Sequence, residues 1–252
     1  MKKDLTDLKY APGRIRRTNR KIYRQILRES ENIGQGNFNA IAVKDFARLF
    51  ELYDLHFFDR YFHNKHNGNV FFRLSERMTK AGGKIAYTKG TDNYTIYLST
   101  ALIFQTFGGV KREVTVNGIV CRDRLDATMR ILEHEIIHLI ELVFFDSTSC
   151  SKPRFKRLSQ NIFGHTAVTH RLVTQAELAQ EQHNMGVWST VSFEYGGETH
   201  RGIISRITKR ATVMVQDRAG DFRDFQGARY SKYYIPLEDL THVRSACQTI
   251  NG

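Results

Sequence analysis

Apolar positions recur along this chain with two periods, one near 3.6 residues and one of two, and the switches between them mark its elements. Ile15, Ile22, Ile26 and Leu27 fall near helical spacing inside a basic, polar segment. That predicts a basic amphipathic helix ahead of Gly34-Gln35-Gly36-Asn37, which punctuates the chain. From Ala40 the apolar positions thicken. Phe46, Leu49, Phe50, Leu52, Tyr53, Leu55, Phe57 and Phe58 predict a long amphipathic helix. Three strands follow: Val70–Leu74, Lys84–Tyr87 behind Gly82-Gly83, and the alternating Tyr94–Leu98. Together they predict a small antiparallel sheet. Asp123 suits the cap of a helix that runs to about Phe145. Pro153 suits the first turn of another helix, with Ser151 as its cap and Gly164 at its end.

The last third reads differently. Val187–Phe193, His200–Ile207, Ala211–Val215 and Tyr233–Ile235 are short strands separated by turn signals at Gly196-Gly197 and Gly220. This spacing predicts a small all-β barrel of SH3-like or OB-like type. The fold class expected is therefore α+β. The expected organisation is a basic arm over residues 1–36, a central domain over 37–182 and a barrel over 183–252. No internal repeat and no low-complexity run is visible.

Composition narrows the classes. The 252 residues are 41% apolar, enough for a sizeable core. The apolar stretches are short, the longest around Leu142–Phe145, far below the ~20 residues that span a bilayer. The opening Met1-Lys2-Lys3-Asp4 leads into polar sequence without the apolar stretch of a secretory signal. Cys121, Cys150 and Cys247 are too few and too far apart for a disulfide framework or a zinc ribbon, and fit a reducing compartment. The expected location is inside the cell, in the cytoplasm or beside nucleoid or nuclear DNA. Net charge is +12, from 38 Lys and Arg against 26 acids. Residues 1–32 alone hold ten cations against four acids. Such a balance favours a polyanion, DNA above all, with Arg14, Arg16, Arg17, Arg20 and Lys21 as the candidate phosphate contacts.

Chemistry concentrates in His134-Glu135-Ile136-Ile137-His138. On a helix, positions i and i+4 share one face, about 6 Å apart, so two neutral imidazoles there can ligate one ion. Glu135 stands next to the first and can take a proton from a metal-bound water. The flanks, including Leu132, Ile136, Ile137, Leu139 and Ile140, read as a buried helix, where a His, a Glu and a His are costly unless something satisfies them. Zinc needs a third protein ligand. The downstream candidates are Cys150, His165, His170 and His183. His165 is favoured because Gly164-His165-Thr166 follows a predicted helix, where the chain can fold back, and His170 and Cys150 stay open. Other divalent ions also suit imidazole ligands.

Over roughly residues 40 to 172 the sequence resembles the SprT-like zinc metalloproteases. The matching stretches are Leu52-Tyr53-Asp54-Leu55-His56-Phe57-Phe58, Arg77–Gly83, Tyr94–Ser99, Leu132–His138 and Pro153-Arg154-Phe155, in the family's order. The resemblance implies a zincin-like fold and a zinc-dependent endopeptidase. His134 and His138 would bind Zn2+, Glu135 would activate water, and the substrate would be protein. Some members cleave proteins crosslinked to DNA. Two departures stand out. The family's third zinc histidine, four residues before the Phe, is Ser151 here, and the zinc ribbon with which many members end is missing.

In the predicted barrel, basic residues are interleaved with Trp188, Phe193, Tyr195, Phe222, Phe225, Tyr230, Tyr233 and Tyr234, a pattern that suits phosphate contact and base stacking, or a barrel core within a solvated surface. Two functions are therefore expected to compete. One is a zinc-dependent protease acting near nucleic acid. The alternative is a non-catalytic nucleic-acid-binding protein that keeps a structural metal.

Overall fold

The computed structural model describes residues 5–107 and 111–243, so Lys2, Lys3 and Cys247 lie outside the described residues. The chain forms two compact units, Met1–Phe107 with Arg112–Leu172, and Gly108–Lys111 with Val173–Gly252.

The first unit opens with helix α1, Pro12–Glu29. Pro12 lies in its first turn, where a missing N–H is harmless. Ile15, Ile22 and Ile26 are buried along one side, so the segment 1–36 contributes packing to this unit as well as charge. Helix α2 (Val43–Phe57) takes in the predicted apolar run except Phe58, which stands at its C-terminal cap. Asp59 and Arg60 adopt left-handed backbone, and a one-turn helix α3 (Tyr61–Lys65) follows. Asp54, on α2, accepts the N–H groups of Phe62 and His63 and so fixes that corner.

Strands β1 (Val70–Ser75), β2 (Gly83–Thr88) and β3 (Asn93–Ser99) fall where expected. The sheet is mixed, however, not antiparallel. Its order is β1-β3-β2, with β3 parallel to β1 and antiparallel to β2. The chain first lays β2 at the edge, then turns through Gly90 and inserts β3 between the two. Helix α4 (Thr100–Gln105) is capped by Ser99. A hairpin of β4 (Val114–Val116) and β5 (Ile119–Cys121) precedes the central helix α5, Arg124–Phe145. As expected, Asp123 caps α5, accepting the N–H of Asp126 at 2.8 Å. Sixteen of the 22 residues of α5 are buried, so it is a core helix with neighbours on every side. It packs on β2, β3 and α6 (Pro153–Phe163). Helix α6 ends at Gly164, φ 73°, as its sequence predicts, but Lys152 and not Ser151 occupies its cap position, without a side-chain bond.

The second unit holds α7 (Gln175–His183) and a six-stranded antiparallel sheet. The strands are β6 (Thr190–Tyr195), β7 (Glu198–Ile207), β8 (Ala211–Gln216), β9 (Phe222–Arg223), β10 (Arg229–Ile235) and β11 (Thr241–His242). Its order is β11-β6-β7-β8-β10-β9, so the expected barrel is not closed. The physical reason is that other elements cover its apolar face. Ala179 of α7, Met185, Leu237 and Leu240 pack on Val191, Phe193, Ile204 and Val213, and each edge ends in a two-residue strand. Phe193 is core, whereas Trp188, Phe225 and Tyr234 are exposed.

Candidate metal centre

The two histidines of the motif lie on one face of α5, as their spacing requires, with their Nε2 atoms 3.1 Å apart. What holds them is local chemistry on the other side of each ring. His134 Nδ1 faces Asn117 Oδ1 at 3.1 Å, and the Asn117 amide N–H is committed to the Arg130 carbonyl. His138 Nδ1 lies 2.5 Å from Thr148 Oγ1, whose own hydrogen goes to Glu141 Oε2 at 2.7 Å. Both partners can therefore only accept, so each ring carries its proton on Nδ1 and presents a lone pair on Nε2. Two lone pairs at 3.1 Å repel unless a cation lies between them. Two nitrogens each ~2.0–2.1 Å from one tetrahedral ion are about that far apart. A proton is a poor substitute, because burial first, then the neighbouring histidines, push His134 down to about 3. Burial likewise pushes His138 down to about 4, against a small opposing effect of Glu141.

Cys150 stands beside these histidines as a third group that could hold a metal ion. Its Sγ and the two imidazoles lie within 4.8 Å of one another. The turn that carries it is tied to α5 through Glu141, a fully buried carboxylate that accepts the Ser149 N–H, the Thr148 hydroxyl and the Arg154 guanidinium. Ser151, where the resemblance places a histidine, is exposed beside it. Phe155, from the first turn of α6, closes the other side, with its ring 4.8 Å from that of His134 and 4.5 Å from that of His138.

His165, the favoured third ligand, lies elsewhere. It is buried, and its Nε2 bonds Glu133 Oε2 at 2.8 Å. Glu133 points away from the motif's metal face and also accepts Tyr53 and Arg130, which in turn pairs with Asp126. Burial works to raise the Glu133 carboxyl, but Arg130, His165 and Tyr53 win and hold it below the usual range. His170 bridges β4 and accepts the Gly82 N–H on Nε2 at 3.1 Å. Among the described residues, neither histidine joins the group of His134, His138 and Cys150, and His183 does not either.

Glu135 lies under β2, on the wall of a cleft that it shares with His134. Gly83 is why it fits: a Cβ there would lie 2.6 Å from Glu135 Oε1. Burial pushes its carboxyl up to about 8. A cleft of about 350 Å³ opens here, lined by Lys80, Gly83, Asn117, His134, Glu135 and His170.

The candidate phosphate contacts divide. Arg14 stacks on Tyr10 at 4.0 Å. Arg16 and Arg20 border a large cavity behind α1, and Arg17, Arg20 and Lys21 share a shallow groove with Arg24 and Arg28.

The residues missed by the sequence reading are the ones that orient others. Asn117 had a readable signal: Asn117-Gly118 between two β-rich triplets is a hairpin turn, and both residues have positive φ, 54° and 78°. Thr148 and Glu141 had none, because their role rests on how the turn after α5 folds back.

Comparison with known families matches residues 46–176 to the SprT-like family. Neither curated proteins nor solved structures gave a match.

Proposed function

The chain belongs to the SprT-like family, and on that premise we propose that it is a zinc-dependent peptidase whose ion is held by His134, His138 and Cys150. The observation that carries this reading is the pair of inward-facing Nε2 lone pairs, 3.1 Å apart, with a thiol beside them. Three protein ligands leave one position open, which favours a catalytic over a closed structural site.

A bound divalent ion supplies Lewis acidity toward a peptide carbonyl and makes a water easier to deprotonate. This chain's residues do the rest. Asn117 and Thr148 keep both imidazoles in the ligating tautomer. Among the described residues the outer edge of β2 pairs with no other strand, so it offers backbone groups to an extended peptide beside Glu135. Glu135 takes a proton at its carboxylate and passes it to the leaving amine nitrogen. The substrate is protein held near nucleic acid. The support for that context is the row of cations on the outer face of α1, Arg16, Arg17, Arg20 and Lys21 among them.

The test is metal content of the full chain, purified without a His-tag or added metal, together with peptide hydrolysis. The expected result is about one zinc per chain, kept in Glu135→Gln, His165→Ala and His170→Ala and lost in Cys150→Ala. Hydrolysis should vanish in Glu135→Gln while zinc stays. A chain that takes up no metal on titration would overturn the reading.

A further inference from the structure

One cavity of the first unit lies apart from the metal centre. It lies behind α1, against α5 and the end of α6, and encloses about 690 Å³, within the range of small-molecule sites. Its floor is apolar: Ile15, Met129 and Phe163 are buried at its base, and the partly exposed Tyr10, Tyr23 and Ile119 face the hollow. Its rim is cationic: Arg16, Arg20 and Arg24 descend α1 at four-residue spacing, and Arg122 faces them. Among the described residues no acid pairs with Arg16, Arg20 or Arg24. The one carboxylate in the lining, Asp126, is bound to Arg130 at 3.2 Å and to Arg122 at 3.3 Å. Tyr23 stands in the wall, with the Arg122 guanidinium 5.1 Å from the centre of its ring. The Asn19 side-chain oxygen accepts from Tyr53, and the residue borders the cavity.

Like charges four residues apart weaken a helix by ~0.2–0.5 kcal/mol per pair. Three in a row, over a hollow with an apolar floor, suit a ligand that is anionic at one end and flat and apolar at the other. We propose that this cavity binds a nucleoside phosphate, with the phosphate held by Arg16, Arg20, Arg24 and Arg122 and the base laid against the partly exposed Tyr10, Tyr23 and Ile119. The same chemistry occurs in a free nucleotide and at the phosphorylated end of a strand. The proposal does not depend on the peptidase reading, since the cavity shares no residue with the metal ligands or Glu135.

The experiment is calorimetric titration of the full chain with AMP, ATP, a 5′-phosphorylated single strand, its 5′-hydroxyl counterpart and a blunt duplex. The expected result is saturable binding of a nucleotide or of the 5′-phosphorylated strand, weakened at least tenfold in Arg16→Gln/Arg122→Gln. The charge-matched Lys65→Gln/Arg73→Gln, at exposed positions away from the cavity, should change it less than twofold. Circular dichroism of each variant checks the fold. Tight binding of AMP or ATP alone identifies a free nucleotide. A preference for the 5′-phosphorylated over the 5′-hydroxyl strand identifies a strand end. No binding by any probe overturns the proposal, and so does binding that falls equally in both double variants, which would be unspecific attraction. The Glu135→Gln and His134→Ala chains should bind as the parent does, so loss of the metal centre and loss of this site are read separately.

Discussion

At the scale of single residues, the two described thiols have opposite fates. Cys121 is buried, and that burial pushes its thiol up to about 12, which leaves it unreactive. Cys150 is half-buried beside two imidazoles. Alkylation mapped by mass spectrometry should label Cys150 in metal-free protein, spare it once zinc is added, and leave Cys121 unlabelled in both. Labelling of Cys150 that zinc does not slow would remove it from the ligand set. Glu135 makes a second test, in metal-free protein. Its carboxyl is raised to about 8 by burial, so between about pH 4.5 and 8 the folded chain binds a proton that the unfolded chain has released. Stability from this group is thus present below pH 4.5 and lost as pH rises. His134 and His138, lowered to about 3 and about 4, act oppositely and cost stability as pH falls below about 6.5. Glu135→Gln should therefore stabilise the metal-free chain at pH 9, by on the order of a few kcal/mol, and do little at pH 4.5. Urea unfolding at the two pH values would show it, and equal effects at both would refute the burial argument.

At the scale of elements, the site depends on how closely β2 lies on α5. Gly83 permits that approach, since a Cβ would stand 2.6 Å from Glu135 Oε1 and 2.7 Å from Ile131 Cγ2. Gly83→Ala should cost about 1–3 kcal/mol through overpacking and displace Glu135, so hydrolysis falls while zinc is retained. An alanine variant of parental stability and rate would mean that β2 and α5 sit further apart than this. The buried Arg130–Glu133–Asp126 cluster, with Tyr53, is the element-scale reason His165 stands apart from His134, His138 and Cys150. It satisfies a charge inside the core, where an unpaired one would be expensive.

At the scale of the whole molecule, charge and chemistry are separated. Ten of the 38 cations fall in the first 32 residues, most of them on the exposed side of α1, whereas the candidate metal group comes from α5 and the turn after it. Nucleic-acid affinity should accordingly fall with salt, and Arg17→Gln/Lys21→Gln should flatten the logarithmic salt slope by about 1.8 if both meet phosphates of a duplex. An unchanged slope would place the polyanion elsewhere. Zinc, in contrast, should slow hydrogen exchange in α5, α6 and the β4–β5 hairpin without altering that of β6 to β11. Protection spread equally over the sheet would contradict a site confined to the first unit. Among the described residues no helix is long and apolar enough to cross a membrane.

What the sequence determined by itself was whatever depends on neighbours along the chain. The i, i+4 histidines, the Asp123 cap, the Pro153 and Gly164 ends of α6 and the strands β1, β2 and β3 all follow from local periodicity and capping. The family was legible for the same reason, since its motifs are short and ordered. Tertiary structure alone decided the rest. Strand order and parallel pairing depend on which strand is laid down at the edge, and nothing within β1, β2 or β3 encodes that. The last sheet stays open because α7 and the segment around Leu237 cover its apolar face, a packing partner that strand spacing does not reveal. Cys150 and not His165 stands beside the two motif histidines, because a candidate ligand is set by where its lone pair points. Glu141 pins one turn over the motif, and Glu133 holds the other histidine on the far side of the same helix.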